Sequence, residues 1–221
     1  MLRGIFVSGT DTNIGKTVVA AALMRRYRRD LPLRYWKPIQ TGIERDDDTR
    51  ELQRLAACKP HDVLKNGIRL RRPLSPHLSA QLADVTIELK PLVNVLADED
   101  PSTRWIVEGA GGALVPINGA ELMTDLMVRL ALPVIVVARS GLGTINHTLL
   151  TLEALRARSL VVCGVVMVGP RNVENCRAIE SYGGVRVLGQ MPRFARLTPK
   201  AVAAWAAKEL DPKKDLLEWI R

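Results

Sequence analysis

Residues 9–17 read Gly9-Thr10-Asp11-Thr12-Asn13-Ile14-Gly15-Lys16-Thr17, between an apolar, strand-like run and a helix-like segment. A strand that turns through glycines into a helix N-terminus directs backbone N–H groups and the positive end of the helix dipole at one point, where a phosphate binds. Lys16 adds a positive charge there, and a hydroxyl such as that of Thr17 reaches a Mg²⁺ ion that bridges the phosphates. The segment indicates a phosphate-binding loop (P-loop).

The spacing of this loop departs from the strict P-loop pattern, because five residues separate Gly9 from Gly15. Thr10 therefore stands where the first glycine of the usual pattern would lie. The alternative is that Gly15-Lys16-Thr17 only begins a helix and binds nothing. The order of strand, loop and helix favours nucleotide binding over that alternative.

Short apolar runs rich in Val and Ile alternate with helix-compatible segments along most of the chain. Nearly continuous hydrophobicity is expected of strands covered on both faces, as in a parallel sheet with helical crossovers. The predicted strands are 4–8, 35–38, 105–107, 134–138, 161–168 and 185–188, and the predicted helices are 16–29, 48–57, 76–82, 90–97, 122–130, 145–157, 173–181 and 199–208. The sequence predicts one α/β domain over residues 1–221, a parallel sheet flanked by helices as in P-loop nucleoside triphosphate hydrolases. Residues 59–75 are interpreted as an excursion from that sheet.

Composition excludes several other classes of protein. The formal charge is +9, but the basic residues form no tail and only 4% of residues are aromatic, so no nucleic-acid partner is expected. The apolar runs are shorter than the roughly 20 residues that span a bilayer, and the start of the chain lacks a signal-peptide pattern. We therefore expect a cytoplasmic protein without membrane association. Three cysteines without CxxC spacing disfavour disulfides and a thiolate metal site.

Charged residues lie where the second predicted strand ends and beyond it. Lys37 opens the run Lys37-Pro38-Ile39-Gln40-Thr41-Gly42, and ligands of open parallel sheets collect at the carboxyl ends of strands. From its position alone, Lys37 is either solvated, as lone lysines at strand ends usually are, or points toward the P-loop from the neighbouring strand. The cluster Asp46-Asp47-Asp48 is either an exposed helix N-cap or a source of Mg²⁺ ligands.

Two glycine-rich turns follow later strands. Glu108 ends an apolar strand and precedes Gly109-Ala110-Gly111-Gly112, a position from which a carboxylate ligates a metal directly or through water. An exposed Glu beside a simple turn is the alternative. The run Gly141-Leu142-Gly143-Thr144-Ile145-Asn146-His147 opens a helix whose free N–H groups are suited to an anion. None of the histidines is predicted to be catalytic.

Together, the P-loop, residues 37–42, residues 108–112 and the helix start at 143–147 resemble the dethiobiotin synthetase family in order and spacing. The resemblance covers residues 1–165 well and the remainder weakly. It implies a homodimeric ligase with ATP as co-substrate and Mg²⁺ as cofactor, with each active site at the subunit interface. Such an enzyme converts 7,8-diaminononanoate and CO₂ to dethiobiotin, ADP and phosphate through a carbamate and a carbamic-phosphoric anhydride.

The resemblance also implies roles for individual residues. Lys37 is the catalytic residue, and Thr17, Asp48 and Glu108 hold the metal. The implied nucleotide-binding residues are Asn13, Ile14, Gly15, Lys16, Thr17, Val18, Asp48, Glu108, Gly109, Ala110, Gly111, Pro192, Arg193 and Phe194. The implied substrate-binding residues are Thr12, Lys37, Thr41, Gly111, Thr144, Ile145 and Asn146, the last three contributed by the second subunit.

Two departures from the family pattern concern the nucleotide. Asn13 replaces an acidic residue common in the loop, and Val168-Gly169 stands where many relatives place an Asn that reads adenine. Because Val168 cannot hydrogen-bond through its side chain, the sequence leaves base specificity open. The alternative to the whole interpretation is a P-loop switch or partitioning-type protein without a small-molecule substrate, against which Lys37-Pro38 and residues 144–146 argue.

Overall fold

The computed structural model describes residues 2–221, which form strands and helices in alternation. The strands are β1 (Gly4–Gly9), β2 (Leu33–Trp36), β3 (Ile39–Thr41), β4 (Val63–Leu64), β5 (Ile68–Leu70), β6 (Arg104–Glu108), β7 (Val134–Arg139), β8 (Val162–Val168) and β9 (Val187–Met191). The helices are α1 (Lys16–Tyr27), α2 (Asp48–Ala56), α3 (Pro76–Gln81), α4 (Leu89–Asn94), α5 (Met123–Leu130), α6 (Thr144–Arg156), α7 (Val173–Gly183), α8 (Pro199–Lys208) and α9 (Leu217–Ile220), with a 3₁₀ turn at Pro60–Asp62.

Seven of these strands form one sheet with the order β4-β2-β6-β1-β7-β8-β9, in which every neighbouring pair is parallel. The predicted α/β class, a parallel sheet flanked by helices, is confirmed. The strand order corrects one expectation: β2 does not neighbour β1, because β6 lies between them. Lys37 therefore approaches the P-loop across the end of β6 and not from an adjacent strand.

Each face of the sheet is covered by its own set of helices. One hydrophobic cluster joins the sheet to α1, α2 and α8, and the other joins it to α4, α5, α6 and α7. Strand β7 shows why the sequence lacks alternation, because Val134 and Val136 belong to one cluster whereas Ile135 and Val137 belong to the other. All four are fully buried.

Helix α1 begins directly after the P-loop and packs closely on the sheet. Gly15 has φ +98°, a conformation that costs glycine little, and it turns the loop into the first helical residue. Three consecutive small residues, Ala20, Ala21 and Ala22, are fully buried in the middle of the helix. Small side chains with high helix propensity let the helix axis approach the strands, which brings its N-terminus to the carboxyl edge of the sheet.

The region 59–75 is not wholly an excursion from the sheet. Val63 and Leu64 pair in parallel with Tyr35 and Trp36 and form the edge strand β4. Strand β5 pairs with β3 in a separate two-stranded parallel sheet. Strands of two or three residues are too short to show a periodic pattern, so sequence reasoning missed all three.

Several boundaries also differ from those predicted. Helix α1 ends at Tyr27, α4 spans 89–94 and β2 ends at Trp36, before Lys37. Among residues 2–221, no helix is long and apolar enough to cross a lipid bilayer.

A buried carboxylate holds the C-terminal segment against the far end of α1. Asp211 is fully buried and accepts hydrogen bonds from the Tyr27 hydroxyl, from Leu216 N at 2.9 Å and from Asp215 N at 3.2 Å. Burial and the Asp211 carboxylate raise the pKa of Tyr27 well above its usual range, so this phenol stays a donor. Each of these donors depends on Asp211 as its acceptor.

Replacing Asp211 with Asn substitutes an N–H₂ group for one carboxylate oxygen and leaves a buried donor without an acceptor. We expect Asp211→Asn to lower the free energy of unfolding by about 1–3 kcal/mol, measured by urea denaturation. The matched control is Asp215→Asn, whose side chain is 42% exposed and pairs with Arg186 at the surface. A surface pair contributes about 0–1 kcal/mol, so equal losses in both variants would contradict this interpretation.

Candidate active site

The side chain of Lys16 is bonded to the backbone of the P-loop. The Lys16 Nζ atom donates to the carbonyl oxygen of Asp11 at 2.8 Å, so the side chain folds back over the loop. Asn13 has φ +55° and is exposed, a left-handed conformation that asparagine tolerates better than most residues. A Cβ atom at Gly9 would lie 2.6 Å from Ile14 Cδ1, so the loop closes tightly only with glycine there.

Strand register brings three further groups to the carboxyl edge of the sheet. Tyr35 and Trp36 of β2 pair with Ile106 and Val107 of β6, so Lys37 follows β2 at the level where Glu108 ends β6. In strands, alternate residues share a face, so Tyr35 and Lys37 are expected on one side of the sheet. Both lie on the side covered by α1, where Lys16 and Thr17 begin the helix.

Thr17, Asp48 and Glu108 form a cluster of oxygen atoms at this edge. The Thr17 hydroxyl lies 3.0 Å from Asp48 Oδ1 and 2.9 Å from Glu108 Oε1. Asp48 is the first residue of α2, where the helix dipole favours a carboxylate. The N-cap of α2 is Asp47, which accepts from Arg50 N, so Asp47 caps the helix and Asp48 is left to contact Thr17 and Lys37.

Lys37 is buried between the two carboxylates. Its Nζ atom lies 2.7 Å from Asp48 Oδ2 and 2.7 Å from Glu108 Oε1, and it donates to the Gly109 carbonyl oxygen at 3.1 Å. The residue is 2% exposed, which rules out the solvated lysine that the sequence left open. All three ammonium hydrogens are thus directed at oxygen atoms of the site.

The ionisation of the site follows from this arrangement. Burial and the charge of Lys37 lower the pKa of Lys16 to about 8. Burial alone would lower the pKa of Lys37, but Glu108 and Asp48 outweigh it and hold the pKa above its usual value. Burial would raise the pKa of Asp48, and the Lys37 ammonium outweighs that effect, so the pKa of Asp48 is lowered. The Lys37–Asp48 pair is charged at neutral pH, whereas Lys16 titrates near it.

The oxygen atoms of Thr17, Asp48 and Glu108 suit Mg²⁺, which takes one or two carboxylates together with water and phosphate oxygens. Within residues 2–221, no group of three or more His, Cys, Asp or Glu side chains could hold a metal by itself. The donor set therefore fits a metal whose remaining ligands come from the nucleotide and water, and it does not fit a metal held by the protein alone.

Other predicted residues lie around this centre without touching it. Thr12 is exposed, and its N–H is bonded to Asp11 Oδ1 at 2.7 Å. Thr41 ends β3 in the small sheet, four residues beyond Lys37. Thr144 is 1% exposed and its hydroxyl donates to the Arg139 carbonyl oxygen, Ile145 packs half-buried against the core, and Asn146 is exposed. Roles for these residues in substrate binding stay predictions.

The side chains that lie beside Gly15, where the nucleotide base is expected, are apolar. A Cβ atom at Gly15 would lie 3.4 Å from Val168 Cγ1 and 3.6 Å from Met191 Cε, so the ends of β8 and β9 sit over the P-loop. Pro192 and Arg193 are exposed beyond β9, and the half-buried Phe194 packs against the core.

Sequence reasoning missed two residues that this centre uses. Tyr35 donates its hydroxyl hydrogen to Glu108 Oε2 at 2.9 Å, and its place in β2 two residues before Lys37 was the available signal. Asp11 holds Lys16 through its carbonyl oxygen, and its carboxylate pairs with Arg139 at 2.6 Å. No pattern in the sequence linked Asp11 with Arg139, which are 128 residues apart.

Comparison with known proteins relates this chain to a family. A family model described as an AAA domain matches residues 3–201. The ATP-dependent dethiobiotin synthetase BioD of Paramagnetospirillum magneticum is 49% identical over 91% of this chain and 94% of its own length. The protein belongs to the dethiobiotin synthetase family. The same-named protein of Agrobacterium fabrum is 46% identical over 89% of each chain.

These relatives confirm the family predicted from the sequence motifs, and with it the expectation of an ATP-dependent ligase of biotin biosynthesis. Among solved structures, the MinC:MinD cell division protein complex of Aquifex aeolicus aligns with a TM-score of 0.56 over 93% of this chain and 94% of that one. The identity there is 12%, so this likeness bears on the P-loop fold alone.

The pKa of Lys16 predicts proton uptake when a triphosphate binds. A pKa near 8 leaves Lys16 partly neutral above that pH, and an adjacent triphosphate raises the pKa again. We expect binding of Mg²⁺–ATP at about pH 8.5 to take up a fraction of a proton, and the affinity to fall as the pH rises above about 8. Calorimetry in buffers of different ionisation enthalpy measures the uptake.

The same titration at about pH 7, where Lys16 is already charged, is the control and should show much smaller uptake. Equal heats in all buffers at the higher pH would contradict a lowered pKa for Lys16.

Proposed function

We propose that this protein carboxylates 7,8-diaminononanoate with CO₂ and closes the ureido ring of dethiobiotin, with ATP converted to ADP and phosphate, in the cytoplasm. The observation that carries the proposal is the convergence of Thr17, Asp48, Glu108 and Lys37 within 3.0 Å contacts beside the P-loop. Such a cluster binds and neutralises phosphate-bearing groups, and relatives that share most of the chain length are named as enzymes of this reaction.

The reaction needs no nucleophile from the protein. One amine of the substrate attacks CO₂ and loses a proton, which gives a carbamate. A carbamate oxygen attacks the γ-phosphorus of ATP, and ADP leaves. The second amine then attacks the carbonyl carbon of this mixed anhydride, loses a proton and expels phosphate. The protein therefore contributes alignment and positive charge.

The described residues divide these tasks. Backbone N–H groups of the P-loop, from Asn13 to Val18, and the Lys16 ammonium hold the phosphates. When bound at Thr17, Asp48 and Glu108, Mg²⁺ supplies further neutralisation of phosphate oxygens. Lys37 reaches the same point from the end of β2, where its ammonium neutralises the carbamate and γ-phosphoryl oxygens. Gly109, Ala110 and Gly111 let the backbone approach the ligand closely.

The substrate carboxylate is assigned to the start of α6 in a second subunit. Free N–H groups at Ile145 and Asn146 and the helix dipole suit an anion. Apolar side chains near this helix are exposed, with Leu142 fully so and Leu150 56% exposed, as expected of a face covered by another copy. A homodimer then places each active site between subunits, with Thr12, Thr41 and Gly111 facing the diamine.

The base site is proposed to be permissive. Val168 and Met191 present only apolar atoms beside Gly15, so a base would be held by contact and by backbone groups near Pro192, Arg193 and Phe194. Contacts of that kind discriminate weakly between purines and other bases.

An assay for dethiobiotin formation tests the proposal, with diaminononanoate, bicarbonate and Mg²⁺ and each nucleoside triphosphate in turn. We expect ATP to support product formation and other triphosphates to replace it in part. Absence of product with every triphosphate, and no heat of binding for the diamine in the presence of Mg²⁺ and ATP, would reject the proposal. That result would favour a nucleotide switch.

Loss of the Lys37 charge is expected to lower turnover. Lys37→Met keeps the buried alkyl chain and removes the ammonium, so we expect kcat to fall by roughly 10²- to 10³-fold, the usual effect of removing one group that stabilises developing charge. Lys90→Met, which changes an exposed lysine on α4, should leave kcat unchanged. Circular dichroism checks that both variants fold, and residual activity within tenfold of the wild type would remove Lys37 from the catalytic role.

Disruption of the α6 face is expected to separate the subunits. Leu150→Glu places a charge on the surface proposed to be covered, so sedimentation should shift from a two-chain mass to a one-chain mass, and turnover should fall with it. Val161→Glu, at a position that is 49% exposed, lies outside α6 and directly precedes β8, is the control. A monomeric wild type would contradict the proposed interface.

A further inference from the structure

Tyr35 is a buried residue that none of the steps above employs. It is fully buried in β2, and its hydroxyl donates to Glu108 Oε2 at 2.9 Å. Glu108 itself is 1% exposed. A phenol that is enclosed beside a carboxylate could serve packing alone, but the way in which Glu108 uses its two oxygens indicates a more specific role.

The two oxygens of Glu108 have separate partners. Oε1 accepts hydrogen bonds from Thr17 Oγ1 at 2.9 Å and from Lys37 Nζ at 2.7 Å, so it faces the site. Among the described residues, Oε2 is bonded to Tyr35. The carboxylate is thus held at both ends, with its plane fixed between the interior of the protein and the site.

The pairing of β2 with β6 in the sheet is enough to place Tyr35 beside Glu108. Tyr35 is opposite Ile106 in the parallel pairing of β2 and β6, and Glu108 is the next residue on the same face of β6. A diagonal distance of this kind, about 7–8 Å, is within reach of an aromatic side chain but not of a short polar one. Thr or Ser at position 35 would leave Oε2 without this donor.

An unpartnered Oε2 would turn toward other donors, because a buried carboxylate oxygen without a hydrogen bond is unfavourable. Rotation of the carboxylate to satisfy Oε2 moves Oε1 away from Thr17. We propose that Tyr35 is a positioning residue, whose hydroxyl fixes the plane of the Glu108 carboxylate so that Oε1 faces the metal site. The inference rests on the metal role assigned to Glu108 under the proposed function.

Tyr35→Phe removes the hydroxyl and keeps the ring, so the core retains its packing. The chain offers a matched control in Tyr27→Phe, since Tyr27 is also fully buried and also donates to a buried carboxylate, that of Asp211, but at the end of α1 farthest from the P-loop. Both variants lose one hydrogen bond from a phenol to a carboxylate, and only Tyr35→Phe loses it at the metal site.

The binding of Mn²⁺ in the presence of ATP, followed by electron paramagnetic resonance, reports the metal site directly and without turnover. We expect Tyr35→Phe to weaken Mn²⁺ binding by roughly 10- to 100-fold, the usual effect of removing the group that orients a metal ligand. Tyr27→Phe should bind Mn²⁺ within twofold of the wild type. The measurement is made below the thermal midpoints of both variants, so that stability does not contribute.

Steady-state kinetics gives a second readout. The Mg²⁺ concentration for half-maximal activity should rise by a similar factor in Tyr35→Phe, with kcat at saturating Mg²⁺ within a few-fold of the wild type. A purely structural role would change both tyrosine variants alike. Mn²⁺ affinity within twofold of wild type in Tyr35→Phe, or an equal loss in Tyr27→Phe, would overturn the positioning role.

A combined variant keeps the test decisive. In Glu108→Gln, the carboxylate through which Tyr35 acts is gone, so adding Tyr35→Phe should cause little further loss of Mn²⁺ affinity. Independent, additive losses would overturn the inference. If the wild type itself binds no Mn²⁺ in the presence of ATP, the metal role of Glu108 is refuted. That result is a failure of the proposed function, and it differs from the results that overturn the positioning role of Tyr35.

Discussion

The ammonium group of Lys37, enclosed between the carboxylates of Asp48 and Glu108, is the interaction on which the active centre depends. The carboxylates of Asp48 and the buried Glu108 lie side by side and would repel each other without a cation between them. Because Lys37 supplies that cation, α2 can place Asp48 against β6, and Thr17 can bond to both acids. Lys37 is thus a structural part of the centre as well as its proposed catalytic residue.

The electrostatics of the centre also explain the unequal behaviour of its two lysines. Lys37 lies in direct contact with both carboxylates, which outweigh the effect of its burial on its pKa, so it keeps its charge. Lys16 contacts a carbonyl oxygen, and its pKa is lowered by burial and by the like charge of Lys37. With two acids and two bases, the free centre is close to electrically neutral. The negative charge of a bound triphosphate is then balanced by Lys16, by the helix dipole and by the metal. Few of the contacts of Lys37 with the two carboxylates are displaced.

The sequence predicted the features with strong local signals. The P-loop and the glycine turn after Glu108 each combine a strand end with chemically distinctive residues, so their place followed from the rule that ligands gather at the carboxyl ends of parallel strands. The acidic start of α2 could equally have been a helix cap, and only the family resemblance predicted that Asp48 approaches Thr17 and Glu108. The place of β6 between β1 and β2 could not be predicted from the sequence, because strand order is decided by packing over the whole sheet. The pairing of Tyr35 with Glu108 depends on that order and on register, and neither can be read from one segment. The short strands β3, β4 and β5 were not predicted, because a segment of two or three residues shows no periodic pattern.

The brevity of β4 has a consequence for the protein in concentrated solution. It closes one side of the seven-stranded sheet with only Val63 and Leu64, and the chain then leaves that sheet to form β5 of the small one. An edge strand exposes unpaired N–H and C=O groups that can template the addition of strands from other molecules, and a long, flat edge promotes aggregation. Two residues offer too short a template for such growth. This brief strand therefore limits intermolecular β-pairing at that edge of the sheet.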